Sequence, residues 1–253
     1  MEQDYIKSIL ITGAASGIGA ATVKKIAQKN IYFTLTTKSN AKALEEVVNY
    51  AKQKGSIVNS VCGDLSDKNF IKKLVALGRA ETGLIDQFVA NAGYADKKQF
   101  GDFNRFELIK SIETMSLSFA EIVNLCIDDF KKSKCGRVVS VSSFVNKNIG
   151  LNNNIFPVTA AAKGALEALS KTLSFQLAKY QVTVNSISPG YTKKDGNHSA
   201  LSDREWNEII SKIPLNRLAS PKDSANLIDF LLSDEAAYIT GQIINVDGGL
   251  SLI

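Results

Sequence analysis

The stretch Ser8–Gly19, which reads SILITGAASGIG, decides the fold of this chain. It begins as a short apolar run, passes into a glycine-rich turn and then enters a helical pattern. Gly13 permits the tight turn, Gly17 lets the backbone approach a pyrophosphate, and Gly19 lets the helix pack closely on the strand. The amides at the helix start, near Ile18, offer donors and a positive dipole end to phosphate. This context predicts a dinucleotide-binding turn opening an α/β domain.

Predicted strands and helices alternate along the rest of the chain. The strands are short and mostly continuous in their apolar character: Ile6–Thr12, Ile31–Thr37, Ile57–Cys62, Leu84–Ala90, Arg137–Ser143, Val182–Ser188 and Gln242–Val246. The helices between them are Gly17–Asn30, Ala41–Lys54, Asp67–Arg79, Asn104–Lys132, Val158–Lys179 and Pro221–Ser233. Such strands suit a parallel sheet buried on both faces. We therefore predict one α/β domain, 1–253, with a Rossmann-type doubly wound parallel sheet of about seven strands and helices on both faces.

One segment, 191–219, interrupts this alternation. It contains no predicted strand, and its polar sequence includes a helical patch around Trp206–Ile213. Because it follows the carboxyl end of a strand, where such sheets bind ligands, we predict a substrate lid. The alternative is an ordinary surface excursion.

Composition excludes several classes of protein. The net charge of +5 comes from lysines scattered in pairs, which indicates solvated helix faces rather than a nucleic-acid interface. A single histidine rules out a multi-histidine metal site, and the three cysteines lack metal-ligand spacing, so we expect no metal. No run is long and apolar enough for a membrane helix, and no signal peptide is evident. We expect a cytoplasmic protein with no membrane partner.

Several later motifs resemble those of the short-chain dehydrogenase/reductase superfamily. The spacing Gly13-x-x-x-Gly17-x-Gly19 is similar to that family's turn. Asn91-Ala92-Gly93 matches its motif after the fourth strand, and Ser188-Pro189-Gly190 matches its Pro-Gly. The segments 213–218, 238–242 and 245–249 resemble the C-terminal third of 3-oxoacyl-carrier-protein reductase-like members. The resemblance covers essentially the whole chain.

The resemblance implies a set of cofactor-binding residues. Asp64-Leu65 looks like the adenine contact, Pro189-Gly190 is expected to wall the nicotinamide, and Thr192 is expected to contact its amide. The full implied set is Gly13, Ser16, Gly17, Ile18, Gly19, Lys38, Asp64, Leu65, Asn91, Ala92, Gly93, Lys163, Pro189, Gly190 and Thr192.

The end of the second strand bears on the choice of nucleotide. An acidic residue there would bind the ribose 2′-hydroxyl of NAD and repel a 2′-phosphate. The sequence instead reads Thr36-Thr37-Lys38-Ser39, with no acid and one ammonium. Electrostatics therefore favours NADP(H) over NAD(H), with Lys38 as a phosphate partner. The alternative is that Lys38 is merely solvated.

The catalytic residues implied by the resemblance are incomplete. The family uses a serine to polarise the carbonyl, a tyrosine to transfer the proton, a lysine to lower the tyrosine pKa and an asparagine that anchors a water. Ser143 and Lys163 match the serine and the lysine, but Thr159 stands in the tyrosine position. A shifted register, which ignores three extra residues, would place Phe156 there and still supply no phenol. The asparagine position is assigned to Glu113.

These substitutions leave the chemistry open. Threonine is shorter than tyrosine by a ring and far less acidic than a phenol of pKa about 10. We predict that Glu113 pairs with Lys163, and we consider Tyr94 and Tyr191 as substitute phenols. Three functions remain: an NADP(H)-dependent carbonyl or alcohol oxidoreductase with a degenerate site, a nucleotide-binding pseudoenzyme, or a non-redox enzyme reusing the pocket. The resemblance also implies a homodimer or homotetramer acting on a small-molecule substrate.

Overall fold

A seven-stranded parallel sheet forms the centre of the computed structural model, which describes residues 5–149, 154–193 and 203–252. The strand order is β3-β2-β1-β4-β5-β6-β7. The strands are β1 Lys7–Thr12, β2 Ile31–Thr37, β3 Ile57–Cys62, β4 Gln87–Ala90, β5 Arg137–Val141, β6 Thr183–Pro189 and β7 Ile243–Val246. Every neighbouring pair is parallel. The predicted doubly wound sheet is confirmed.

Helices cover both faces of this sheet. They are α1 Gly17–Ile26, α2 Ala41–Gln53, α3 Lys68–Gly78, α4 Arg105–Ile112, α5 Ser118–Lys132, α6 Pro157–Leu177, α7 Asp203–Lys212 and α8 Pro221–Leu232. A π-helical turn, Glu113–Leu117, joins α4 to α5, so the predicted helix Asn104–Lys132 contains a local change of register. None of the described helices is long and apolar enough to cross a membrane.

The alternating side chains of β1 show how the two faces are filled. Ile9 and Ile11 belong to one apolar cluster, which includes side chains from α1, α2 and α8. Leu10 belongs to a second cluster, with side chains from α3, α5 and α6. Successive residues of a strand point to opposite faces, so an apolar run without alternation is buried on both sides.

The order of the strands reverses at β1, which pairs with β2 on one side and β4 on the other. Both following connections begin at the carboxyl edge of the sheet, and a crevice at this switch point is where doubly wound folds bind ligands. β5 ends at Val141, two residues before the predicted end, because Ser143 begins a 3₁₀ turn over Phe144–Asn146. The switch point and the end of β5 together position the candidate site.

The base of the predicted lid, 191–219, is closed by a short backbone ladder. The Ala219 amide donates to the Tyr191 carbonyl at 2.9 Å, and the Lys193 amide donates to the Ala219 carbonyl at 2.8 Å. Residues 194–202 of this segment lie outside the described residues. The described part includes α7, which packs above the turn that follows β5. Its function as a lid remains a prediction.

Candidate active site

The glycine-rich turn between β1 and α1 has the backbone conformation that its glycines allow. Gly13 and Gly17 have φ angles of +66° and +55°, in the left-handed region. A Cβ atom on Gly19 would lie 2.3 Å from the Gly13 carbonyl oxygen, so α1 packs against the turn itself. A Cβ atom on Gly17 would meet no atom within 4 Å. The turn is thus tight where it packs and open where a pyrophosphate would approach.

The N-terminus of α1 lacks a side-chain cap. Ser16 occupies the N-cap position, its hydroxyl makes no capping hydrogen bond, and the first turn contains no acidic residue. The first amides of a helix have no intrahelical partner, and the macrodipole favours an anion beside them. The predicted residues Ser16, Gly17, Ile18 and Gly19 therefore fit a nucleotide pyrophosphate.

Asn91 supports the turn from the neighbouring strand. Its Nδ2 donates to the carbonyl oxygens of Thr12 and Gly13, at 3.0 and 2.9 Å. The amides of Asn91 and Ala92 both donate to the Thr12 hydroxyl, at 3.1 Å each. The structure therefore shows Asn91 and Ala92 fastening the end of β4 to the glycine-rich turn.

The predicted adenosine end contains an ion pair that the sequence did not reveal. Lys38 Nζ lies 2.7 Å from Asp64 Oδ2. The hydrogen bond from Lys38 lowers the pKa of Asp64 to about 2, and the same bond raises the pKa of Lys38. Leu65, the next residue after Asp64, is buried in the second apolar cluster. Lys38 was predicted as a phosphate partner and Asp64 as an adenine contact, and here the two residues bind each other.

Lys163 lies buried near the centre of the site. Its Nζ donates to the Val141 carbonyl at 2.6 Å, and a Cβ atom on Gly93 would lie 2.9 Å from this nitrogen. Burial lowers the pKa of Lys163 to about 8, although the Glu167 carboxylate acts in the opposite direction. Lys163 thus connects the Asn91–Gly93 turn to the end of β5.

The predicted pairing of Glu113 with Lys163 is wrong. Glu113 and Lys163 both lie among the described residues. The carboxylate whose charge raises the pKa of Lys163 is instead that of Glu167, one helical turn further along α6. The residue of the π-helical turn that does reach this region is Met115, whose Sδ would lie 3.3 Å from a Cβ atom on Gly93. Met115, not Glu113, therefore occupies the place facing Lys163. A π turn rotates the side chains that follow it, and nothing in the sequence pattern signals it.

Thr159 has a structural contact in this site. It is 2% exposed, and its Oγ1 accepts a hydrogen bond from the Asp96 amide at 2.9 Å. This bond ties the loop after β4 to the first turn of α6. The threonine thus anchors a loop at the position where the resemblance implies a phenol.

Ser143 begins the turn after β5 and is partly exposed. Its Oγ accepts a hydrogen bond from the Val145 amide at 3.4 Å. The preceding residue, Ser142, donates from its hydroxyl to the Glu167 carboxylate. Two successive turns of α6 therefore hold the end of β5, through Lys163 on Val141 and Glu167 on Ser142. The i, i+4 spacing of Lys163 and Glu167 was the available sequence signal for this arrangement.

An apolar cluster joins Phe144, the residue after Ser143, to the predicted lid. The Phe144 and Tyr191 ring centroids are 4.5 Å apart, and Tyr191 meets Trp206 edge-on at 6.2 Å. Burial raises the pKa of the Tyr191 phenol, which makes it a poorer acid. Tyr94 is exposed and directly follows Gly93. A role for Tyr94 or Tyr191 as a substitute phenol stays a prediction.

The end of β6 brings the last predicted cofactor residues to the same edge of the sheet. The Gly190 amide donates to the Val246 carbonyl at 3.0 Å, after Pro189 has ended the strand. A Cβ atom on Gly190 would lie 2.8 Å from the Asp247 Cα, so the residue that follows β7 is too close for a side chain at this position. Thr192 Oγ1 donates to the Gly190 carbonyl at 3.1 Å. Pro189, Gly190 and Thr192 therefore follow one another at the carboxyl end of β6.

The doubly wound parallel sheet and the glycine-rich turn after β1 define a Rossmann-type α/β fold. The sequence family described as enoyl-(acyl carrier protein) reductase matches residues 13–251. FabG of Escherichia coli (strain K12), a 3-oxoacyl-acyl-carrier-protein reductase, is 32% identical over 249 residues, 98% of this chain and 98% of that protein. FabG of Haemophilus influenzae is 31% identical over 250 residues, 97% of this chain and 98% of that protein.

Solved structures agree with the sequence comparisons. YwfH, described as an NADPH-dependent reductase involved in bacilysin biosynthesis, is 25% identical, with a TM-score of 0.86 over 96% of this chain and 98% of its own. Acetoin dehydrogenase YohF of Salmonella typhimurium is 26% identical, with a TM-score of 0.85 over 98% of this chain and 96% of its own. The chain belongs to the short-chain dehydrogenase/reductase superfamily.

Proposed function

We propose that this protein is an NADP(H)-dependent oxidoreductase that interconverts a carbonyl and an alcohol in a small-molecule substrate. The observation that carries the proposal is the position of Lys163. Its ammonium group joins the Asn91–Gly93 turn, which supports the nucleotide loop, to the end of β5, which presents Ser143. A nucleotide bound along the turn would therefore end beside the serine that polarises a carbonyl.

Each side chain at this edge has a proposed task. NADP(H) supplies or accepts the hydride when bound. Ser143 donates a hydrogen bond to the substrate oxygen and stabilises the negative charge that develops there. Lys163 holds the nicotinamide ribose, and Pro189 and Gly190 limit the nicotinamide on its other side. The apolar cluster of Phe144, Tyr191 and Trp206 excludes water from the reacting atoms.

The proton for the alcohol product is proposed to come from water held near Ser143. Thr159 is a poor proton donor because an aliphatic hydroxyl is weakly acidic and its oxygen already accepts from the Asp96 amide. A missing general acid typically costs about 10²–10⁴-fold in rate. We therefore propose turnover that is slow compared with that of a relative containing the tyrosine.

The relatives named above favour this function over a pseudoenzyme. Each matches nearly the full chain, and their names describe reductases and a dehydrogenase. NADP(H) rather than NAD(H) is supported by Lys38 and by the absence of an acid at the end of β2. A non-redox use of the pocket has no supporting contact among the described residues.

We also propose a homodimer or homotetramer. Apolar side chains lie exposed on the outer faces of α5 and α6, among them Leu125, Leu169 and Phe175, the last 89% exposed. An apolar patch of this kind favours burial against a second copy of the chain. Sedimentation velocity on wild type and on Phe175→Ser tests this part of the proposal, and a monomeric wild type would contradict it.

The catalytic proposal is tested by NADPH consumption with a panel of ketones and 3-oxoacyl thioesters. We expect slow consumption with at least one carbonyl compound, and its loss in Ser143→Ala. Lys222→Gln, a change on the exposed face of α8, should leave the rate unchanged. If NADPH binds but no panel member causes its consumption, even at high protein concentration, the result contradicts the catalytic proposal and favours a pseudoenzyme.

A further inference from the structure

A chain of hydrogen bonds from α6 holds both ends of the serine turn, Ser143–Asn146, which presents the Ser143 hydroxyl. Ser142, the residue before this turn, donates from its hydroxyl to the Glu167 carboxylate. Asn146 Nδ2, at the end of the turn, donates to the same Ser142 hydroxyl oxygen at 3.4 Å. The Ser142 hydroxyl therefore joins the start and the end of the serine turn to Glu167.

The contact between Ser142 and Glu167 is shielded from water on the serine side. Ser142 is 4% exposed, so its hydroxyl depends on an acceptor from the protein. A buried hydroxyl without an acceptor is costly, and a hydrogen bond to a carboxylate is stronger than one to a neutral group. One helical turn earlier on α6, Lys163 Nζ donates to the Val141 carbonyl at 2.6 Å. Helix α6 thus fixes the two consecutive residues that come immediately before Ser143.

The serine turn also packs against the predicted lid, through Phe144. The Phe144 ring centroid lies 4.5 Å from that of Tyr191, and Tyr191 meets Trp206 of α7 edge-on at 6.2 Å. Trp206 is the only tryptophan of the chain. A displaced serine turn would move Phe144 and change the packing around this indole. The fluorescence of Trp206 therefore reports on the position of the serine turn and requires no turnover.

We propose that Glu167 is a positioning residue for Ser143: by accepting the Ser142 hydroxyl, it fixes the serine turn so that the Ser143 hydroxyl is directed at the substrate oxygen. This role in catalysis rests on the proposed function. The hydrogen bond needs an acceptor at position 167, so a glutamine amide oxygen can replace the carboxylate and a leucine cannot. Glu167→Gln and Glu167→Leu both remove the charge that acts on Lys163, so a difference between the two variants isolates the hydrogen bond.

The test compares these variants of the full chain by NADPH consumption, NADPH titration and Trp206 fluorescence. In Glu167→Leu we expect kcat to fall by up to about 10²-fold, because a small misplacement of a catalytic group is enough to cost that much. KM and NADPH affinity should stay near their wild-type values, since Ser143 acts on charge that develops in the transition state. The Trp206 emission maximum should shift in this variant.

Glu167→Gln should retain most of the kcat that Glu167→Leu loses, and it should keep the wild-type Trp206 emission. Ser142→Ala should reproduce Glu167→Leu. The double variant should lose no more kcat than either single variant, because both changes break the same hydrogen bond. Glu46→Leu, which removes a carboxylate from the exposed face of α2, is the matched control and should alter none of these quantities.

Two results would overturn the inference. One is equal kcat and equal Trp206 emission in Glu167→Leu and Glu167→Gln, and the other is losses in Ser142→Ala and Glu167→Leu that multiply in the double variant. Thermal melts verify that each variant is folded, and Ser142→Ala supplies the comparison with wild type if Glu167→Leu does not fold.

A failure of the proposed function gives a different result. A wild type that binds NADPH without turnover contradicts the proposed oxidoreductase, and Trp206 emission then decides whether Glu167 holds the serine turn. A shift in Glu167→Leu that is absent from Glu167→Gln supports that contact, and identical spectra refute it. Turnover in wild type with an unchanged kcat in Glu167→Leu refutes only the positioning role of Glu167.

Discussion

The nucleotide end and the chemical end of the crevice place different requirements on the sequence. At the nucleotide end the requirements are on the backbone, and Gly13, Gly19 and Asn91 meet them through close packing and hydrogen bonds. At the chemical end the requirements are on side-chain chemistry, and Thr159 stands in the position where the resemblance implies a phenol. A fold can keep its cofactor geometry while the proton chemistry beside it changes, because different atoms carry the two tasks.

The largest expected effect is on the chemical end. Thr159→Tyr introduces a phenol four residues before Lys163, and we expect turnover of a responsive carbonyl substrate to rise by about 10²–10⁴-fold. Thr159→Phe is the matched control, since it adds the ring and loses the Asp96 contact without supplying a proton. NADPH consumption measures both. Equal rates in the two variants would mean that the wild type does not lack a general acid.

At the nucleotide end we expect Gly19→Ala to have the next largest effect. The added Cβ would lie 2.3 Å from the Gly13 carbonyl oxygen, so the turn and α1 must separate. Overpacking of this kind costs about 1–3 kcal/mol of stability, and the distorted turn should bind NADPH poorly. Gly164→Ala is the control, because a Cβ there meets no atom within 4 Å. In urea unfolding and NADPH titration, Gly19→Ala should be less stable and should bind NADPH more weakly than Gly164→Ala. Equal stability and equal affinity in the two variants would contradict the packing argument.

Lys163 links the two ends, and its burial predicts a pH dependence. Its pKa falls from 10.5 to about 8 in the folded protein, so between these values the unfolded chain binds more protons and stability rises with pH. Lys163→Met should be more stable than wild type at pH 7, on the order of 1–2 kcal/mol, with a smaller difference at high pH. Lys171→Met, an exposed change on the same helix, should show neither effect. If the difference in stability between Lys163→Met and wild type does not decrease as the pH rises, burial of the Lys163 ammonium does not destabilise the folded protein.

The smallest expected effect concerns Glu113. Since Met115 rather than Glu113 faces Lys163, Glu113→Gln should change neither the stability nor the affinity for NADPH beyond the usual range of surface changes, about 0.5 kcal/mol. Thermal melting and nucleotide titration measure both quantities. A clear loss of NADPH affinity in Glu113→Gln would support the predicted pairing of Glu113 with Lys163 and contradict the arrangement in which Glu167 is the neighbouring carboxylate.

The features that the sequence could predict are those fixed by short-range rules. The strand at Lys7–Thr12 and the helix at Gly17–Ile26 follow from apolar runs and glycine spacing, and the order of elements follows from their alternation. The π-helical turn at Glu113–Leu117 has no such signature, so the residue facing Lys163 was assigned wrongly. The Lys38–Asp64 pair joins residues at the ends of neighbouring strands, and only the sheet brings them together.

Titration of wild-type protein with NADPH, and in parallel with NADH, tests whether the nucleotide end binds a cofactor although Thr159 stands in the position where the resemblance implies a tyrosine. We expect saturable binding of both nucleotides, with NADPH the tighter, because the proposed function places both pyrophosphates at the glycine-rich turn and a 2′-phosphate beside Lys38. Absence of saturable binding by either nucleotide would contradict it and would show that the retained backbone geometry no longer serves a cofactor.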